Sequence, residues 1–245
     1  MCPDYSAFGI DRDGAQTEYV KIPAAAIEQG NLVPIGSSVP ATQACLAEPL
    51  SCAISGVRAA QVKAGDCVIV FGAGPMGLLN VMVAGSAGAS RVVVVDPNSR
   101  RLEAARKVGA TDAIDPAKCA VKDWVTRETK GRGVDAVIAA APSPKVQQDA
   151  LELLAPFGRL CLFAGLPRGQ GCVELDTNAI HYKQLIVTGM TGGSPADYRQ
   201  AVGMIESGRI DVSKVISDVL PIGEVKRAYE RAMSGQGMKI VMSGE

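Results

Sequence analysis

The residues best spaced for chemistry are Gly72-Ala73-Gly74-Pro75-Met76-Gly77, a G-x-G-x-x-G run, and Asp96, which lies 24 residues beyond the first of these glycines. Such a loop cradles a pyrophosphate. Gly72 permits the tight turn, and Gly74, with Pro75 and Met76 after it, lets backbone amides approach phosphate oxygens. Gly77 lets the following helix pack closely on a sheet, with its positive N-terminal end facing the anion. A carboxylate at position 96 would accept hydrogen bonds from an adenosine ribose and repel a 2′-phosphate, which favours NAD over NADP. The loop alone does not choose the cofactor, because S-adenosylmethionine enzymes use a related turn and acid. A glycine-rich turn that serves packing only is the remaining reading.

Composition removes other chemistries. His181 is the single histidine of 245 residues, which excludes multi-histidine metal sites and any Ser/His/Asp triad elsewhere than at His181. The seven cysteines, at 2, 45, 52, 67, 119, 161 and 172, form no C-x-x-C pair. Most lie in apolar runs, as expected of reduced, buried thiols in a cytoplasmic protein. Lys+Arg and Asp+Glu both number 25, so no basic field exists to attract nucleic acid. The N-terminus lacks a basic stretch followed by an apolar one, so no secretory leader is expected. Cys67 to Ser90 carries no charge, yet glycines at 72, 74, 77, 85 and 88 break it into strand, turn and helix rather than a membrane span.

Elements that position the loop follow from the hydrophobic pattern. CVIVF (67–71) reads as a buried strand before the glycines, with a helix over about 76–87 after them. RVVVV (91–95) is the second strand, and Ser99 is a plausible N-cap for the helix RRLEAARKVG that Gly109 ends. ATDAI, VDAVIAA, RLCLFAG (159–165) and KQLIVTG (183–189) supply four more strands, alternating with KCAVKDWVTRETKG and with a helix capped by Ser143-Pro144. Six strands joined by crossover helices predict an α/β, doubly wound parallel Rossmann sheet. Gly165-Leu166 and Thr188-Gly189 then fall at carboxyl ends of strands, where such sheets bind ligands. Both flanks differ, with extended pieces such as AQTEYVKI before the sheet, and a helix, VISDVL, GEVKRAYERAM and MKIVM after it. The expected division is 1–47, 48–190 and 191–245.

GDCVIVFGAGPMGLL and VVVVDPNSRRLEAARKVGATDAID resemble the zinc-type medium-chain dehydrogenase/reductase family, and the likeness extends over essentially the whole chain. DGAQTEYVKIPAAAI resembles the segment leaving that family's GroES-like catalytic domain, of which 1–47 would be part and to which 191–245 would return. AEPLSCAISGVRAA resembles its junction helix. NAIHYKQLIVTG, ESGRIDVSKVIS and GMKIV resemble the polyol (sorbitol or L-iditol 2-dehydrogenase) and threonine dehydrogenase branches.

This resemblance implies hydride transfer between a secondary alcohol, such as a polyol, and NAD, with zinc as Lewis acid. Glu48 would be a zinc ligand, Arg101 would lie along the adenine side, and Gly165, Leu166, Thr188 and Gly189 would border the nicotinamide ribose. His181 matches a family H-Y-K that is not a ligand, so a core or loop role is expected, and core roles are likewise expected for Cys45 and Cys52. The family's catalytic zinc also needs a cysteine and a His-Glu pair, which this chain lacks, and of the four structural-zinc cysteines only Cys2 has a match. The chain therefore starts about one hundred residues into the family pattern, and the expectation is NAD binding with an incomplete zinc site and little activity. A non-catalytic dinucleotide binder, or a threonine or sugar-alcohol-phosphate dehydrogenase, fits the same residues. The resemblance also implies a homo-oligomer paired near 172–190, a small-molecule substrate, and neither nucleic-acid nor membrane partners.

Overall fold

Short β-branched runs closed by glycine turns become parallel strands because each is apolar on both faces and the intervening helices cover both. The computed structural model describes residues 5–244; Cys2, matched above to a structural-zinc cysteine, lies outside them. In chain order the elements are α1 (Ala24–Glu28), α2 (Ala41–Ala44), α3 (Ala47–Ala59), β1 (Cys67–Phe71), α4 (Pro75–Ser86), β2 (Arg91–Val95), α5 (Ser99–Lys107), β3 (Asp112–Ile114), α6 (Val121–Glu128) and β4 (Val134–Ala139). There follow α7 (Pro144–Leu153), β5 (Leu154–Leu162), α8 (Thr177–Lys183), β6 (Ile186–Gly189), α9 (Pro195–Glu206), β7 (Ile216–Pro221), α10 (Val225–Met233) and β8 (Lys239–Ser243). Six strands make one parallel sheet in the order β3-β2-β1-β4-β5-β6, and β7 pairs with β8 separately. The first sheet is the doubly wound order with its switch point between β1 and β4.

Alternation along β1 divides the core. Val68 and Val70 face a cluster with α3, α4 and α9, including Leu50, Leu78, Leu79 and Val202. Ile69 and Phe71 face the opposite cluster, with Trp124, Leu151 and Leu154. The first cluster also takes in Ile210, Val212 and Val215, so the segment after residue 190 shares the sheet's own core before β7 begins. No strand forms in AQTEYVKI. The N-terminal flank instead runs beside α9, where Arg199 donates to the Gly30 carbonyl at 2.9 Å and Glu206 accepts from the Gly36 amide at 2.6 Å.

Three expectations are corrected. Asn98, not Ser99, caps α5: its backbone is extended and its side chain accepts from the Arg101 amide, while Ser99 is already helical. The thiols are not mostly buried, for among the described cysteines only Cys161 is, and Cys45 and Cys172 are exposed. Cys45 and Cys52 are therefore not core residues. Cys45 donates to the Thr42 carbonyl at 3.2 Å on the outer side of the α2–α3 connection, and Cys52 is half-buried.

Two ion pairs, one buried and one with only its carboxylate buried, tie distant segments. Arg159 on β5 is 9% exposed and donates to Asp66, ahead of β1, and to the Ala60 carbonyl at 3.3 Å. Asp197 on α9 is 1% exposed and accepts both guanidinium nitrogens of Arg58 on α3. Burial alone would raise the Asp197 carboxyl, but hydrogen bonds from Arg58 and Ser194 outweigh it and hold it at about 2. Removing one partner of a buried pair strands the other charge. Asp66→Ala is expected to lower the unfolding free energy by about 3 kcal/mol in urea at unchanged m-value, while Lys122→Ala, which breaks the solvated pair with Glu152, leaves the midpoint in place.

Candidate functional site

β1 delivers the chain into the glycine loop. Gly72 turns with φ +95°, its amide donates to the Val95 carbonyl at 2.8 Å, and a Cβ there would press on the Ala140 backbone at 3.2 Å. A Cβ on Gly77 would coincide with the Gly72 carbonyl oxygen, so α4 can lie this close to the turn only without a side chain at 77. Gly74 differs from both. It is the extended N-cap of α4, gives no side-chain cap, and precedes Pro75 in the first turn. A Cβ on Gly74 would meet nothing within 4 Å. The helix thus presents first-turn amides to open space that no side chain of the loop fills, the geometry that suits a pyrophosphate.

Asp96, at the end of β2, is 5% exposed. One carboxylate oxygen accepts from the Ala73 amide and the other from the Asn98 amide, both at 2.8 Å. The acid therefore joins the glycine turn to the start of α5, and each oxygen keeps a lone pair for a further donor such as a ribose hydroxyl. Arg101, one turn into α5, buries its Nε without a partner, and its guanidinium tip lies 3.9 Å from where a Cβ on Gly235 would sit.

A cleft of about 500 Å³ opens at the carboxyl ends of β5 and β6, and Met76, Gly165, Leu166 and Gly189 line it together with Cys52 and Phe163. Thr188 stands one residue behind the lining, and its hydroxyl donates to the Gly189 carbonyl at 3.4 Å. The sequence pattern missed Phe163, Gln147 and Cys52. Phe163 closes over Gly56, where any Cβ would strike its ring, and Gln147 donates to the Ala164 carbonyl at 3.1 Å. A second cleft of about 510 Å³ between α5, β3 and α6 mixes Arg106 and Lys118 with Asp112 and Asp115, and holds none of the loop residues.

Glu48 is exposed on α3 and accepts from the Cys52 thiol, one helical turn on, at 3.3 Å. Burial first, and the Glu48 charge second, push the Cys52 thiol up to about 12, so it stays protonated at neutral pH. Among the described residues no three His, Cys, Asp or Glu side chains gather closely enough to hold a metal. His181 is exposed on α8, edge-on to Tyr182 at 4.9 Å. No helix of the described residues is long and apolar enough to cross a membrane.

Residues 75–207 match a family described as zinc-binding dehydrogenase. The chain is 35% identical over 243 residues to an L-threonine 3-dehydrogenase of Bacillus licheniformis, across 99% of this chain and 68% of that protein. It is 34% identical over 206 residues to "Probable D-xylulose reductase A" of Neosartorya fischeri, across 82% of this chain and 57% of that one. A solved structure of a Sinorhizobium meliloti protein, described as a zinc-binding dehydrogenase and bound to NADP, superposes with a TM-score of 0.88 at 28% identity, across 99% of this chain and 69% of that one.

The three glycines separate folding from binding. Gly77→Ala is expected to destabilise the chain by about 1–3 kcal/mol or more through overpacking. Gly74→Val is expected to move the unfolding midpoint by less than about 1 kcal/mol while weakening dinucleotide binding at least about tenfold, both read by urea titration and calorimetry. Because burial and the Glu48 charge push the Cys52 thiol up to about 12, iodoacetamide at neutral pH should label the exposed Cys172 well ahead of Cys52 in peptide mapping. Glu48→Gln, by removing the adjacent charge, should speed labelling at Cys52.

Proposed function

This chain belongs to the zinc-binding dehydrogenase family, and from that premise we propose that it binds NAD for hydride exchange with a secondary alcohol of the polyol type. The single observation that carries the reading is the uncapped start of α4, with Gly74 facing open space and Asp96 bound to the same turn. The residues fit the cofactor. The amides after Gly74 would take the pyrophosphate, Asp96 the adenosine ribose, and Arg101, with its unpartnered Nε, the adenine side. Gly165, Leu166 and Gly189, with Thr188 behind them, would enclose the nicotinamide half over Met76 and Phe163. When bound, NAD supplies the hydride acceptor; the cleft walls orient the ring and exclude water from it. Asp96 favours NAD by repulsion of a 2′-phosphate.

Zinc does not fit the described residues in the same way. Glu48 and Cys52 stand as a hydrogen-bonded pair with no third donor nearby, whereas a zinc centre needs at least three protein ligands. No step is therefore routed through a metal, and for this chain alone Glu48 is one donor of an incomplete set. That donor set favours a second reading, a dinucleotide-binding protein without dehydrogenase activity. Threonine is the alternative substrate class, as in the Bacillus licheniformis relative, and a sugar-alcohol phosphate is another. A cytoplasmic setting goes with this reading, as does a homo-oligomer paired along β6, the edge strand on which Ile186 is 41% exposed. The division into 1–47, 48–190 and 191–245 separates the dinucleotide-binding unit from the two flanks of a catalytic unit.

Calorimetric titration with NAD, NADP and S-adenosylmethionine tests the reading. NAD is expected to bind at least about tenfold more tightly than NADP, and Asp96→Ala is expected to narrow that gap. Binding of S-adenosylmethionine but not NAD overturns it. Metal analysis after gel filtration in zinc is expected to find less than one ion per chain, and one tightly held zinc would restore a metal-assisted mechanism.

A further inference from the structure

The inner wall of the cleft is not held by the strands alone. Between β6 and α9 the chain runs through Gly189, Met190, Thr191 and Gly192, all on the cleft, then Gly193 and Ser194. Gly192 has φ +65°, and residues 190–194, which follow the end of β6 at Gly189, contain no helix or strand, so their course depends on what anchors them. The anchor is α3. Gly193 lies so close to Ser51 that any Cβ would overlap its hydroxyl. One residue on, Ser194 donates through its amide at 2.9 Å and its hydroxyl at 2.7 Å to Asp197, whose amide returns a bond to the Ser194 hydroxyl at 3.2 Å. Arg58, two turns further along α3, closes on the same carboxylate with both guanidinium nitrogens, one of them at 2.9 Å.

Asp197 thus spends its whole acceptor capacity on one helix cap and one arginine. Its carboxylate is buried, whereas the Arg58 side chain is 60% exposed. The helix that carries Arg58 also carries Cys52, on the cleft, and Ser51, under Gly193. One helix therefore sets the spacing between the cleft's α3 side and its wall at 189–192.

Resting on the cofactor reading above, we propose that Arg58 and Asp197 are positioning residues: their clasp holds the 189–194 wall at the distance from α3 that the nicotinamide half of a dinucleotide requires. Neither residue lines the cleft. The clasp acts on the nicotinamide end alone, because the pyrophosphate loop and Asp96 are anchored independently through β1, β2 and α4.

The test compares NAD with ADP-ribose, which carries everything but the nicotinamide ring, on the whole chain. Arg58→Ala is expected to leave ADP-ribose affinity within about twofold while NAD affinity falls about tenfold. The fluorescence enhancement of bound NADH should fall with it, and Arg58→Lys should restore part of both. Asp197→Asn, checked by thermal unfolding, is expected to act in the same direction. Unchanged NAD affinity and NADH emission in Arg58→Ala overturn the proposal, as does an equal loss for both ligands, which would mean a general loosening of the fold. Failure of the unsubstituted chain to bind either ligand is a different result: it rejects the cofactor reading itself, and the clasp's role with it.

Discussion

The arrangement hangs on the space beside the Gly72 carbonyl oxygen, which a side chain at position 77 would occupy. Because that space is empty, α4 starts directly against the turn that leaves β1, and its first-turn amides emerge at the carboxyl edge of the sheet. The helix then has no capping side chain, so amides that elsewhere would be satisfied within the protein are left for a ligand. Asp96 secures the same turn from the neighbouring strand through the Ala73 amide. One carboxylate thus ties the loop to the start of α5.

α3 is the second organising element. It packs in the core with α4 and α9, contributes Cys52 to the cleft, and bonds through Arg58 to the buried start of α9. α9 in turn receives the N-terminal flank at Gly30 and Gly36. Contacts thus link the N-terminal flank to the cleft through α9 and α3, while the glycine loop is held by the sheet. Glu48 sits on the same α3 face as Cys52 and accepts from its thiol, a pairing that adds to burial in raising the thiol's pKa.

Most of the sheet was legible from the chain because its strands are continuous β-branched runs and its turns are glycines, signals that need no tertiary context. β1 and β2 were read to the residue. The cap of α5 was misplaced by one position, since Asn98 and Ser99 are both good caps and only backbone direction distinguishes them. Cys45 and Cys52 were misread as core residues because apolar neighbours in sequence do not say which face of a helix is covered. Phe163 and Gln147 gave no signal, as which side chains face the cleft depends on how α7, β5 and α3 pack, with Phe163 against Gly56 and Gln147 bonded to the Ala164 carbonyl.

Residue types and local spacing determined the glycine loop, the acid after it, the six strands of a doubly wound sheet and the single histidine, because glycine conformation, strand periodicity and simple counting are local or global properties of the chain. Only the tertiary structure decided that Asp96 braces the loop that precedes it in the chain, that the Cys52 thiol donates to Glu48, and that Arg58 reaches across 139 residues to Asp197. These depend on which helix faces meet. Packing of the whole core sets that geometry, and no short stretch of sequence contains it.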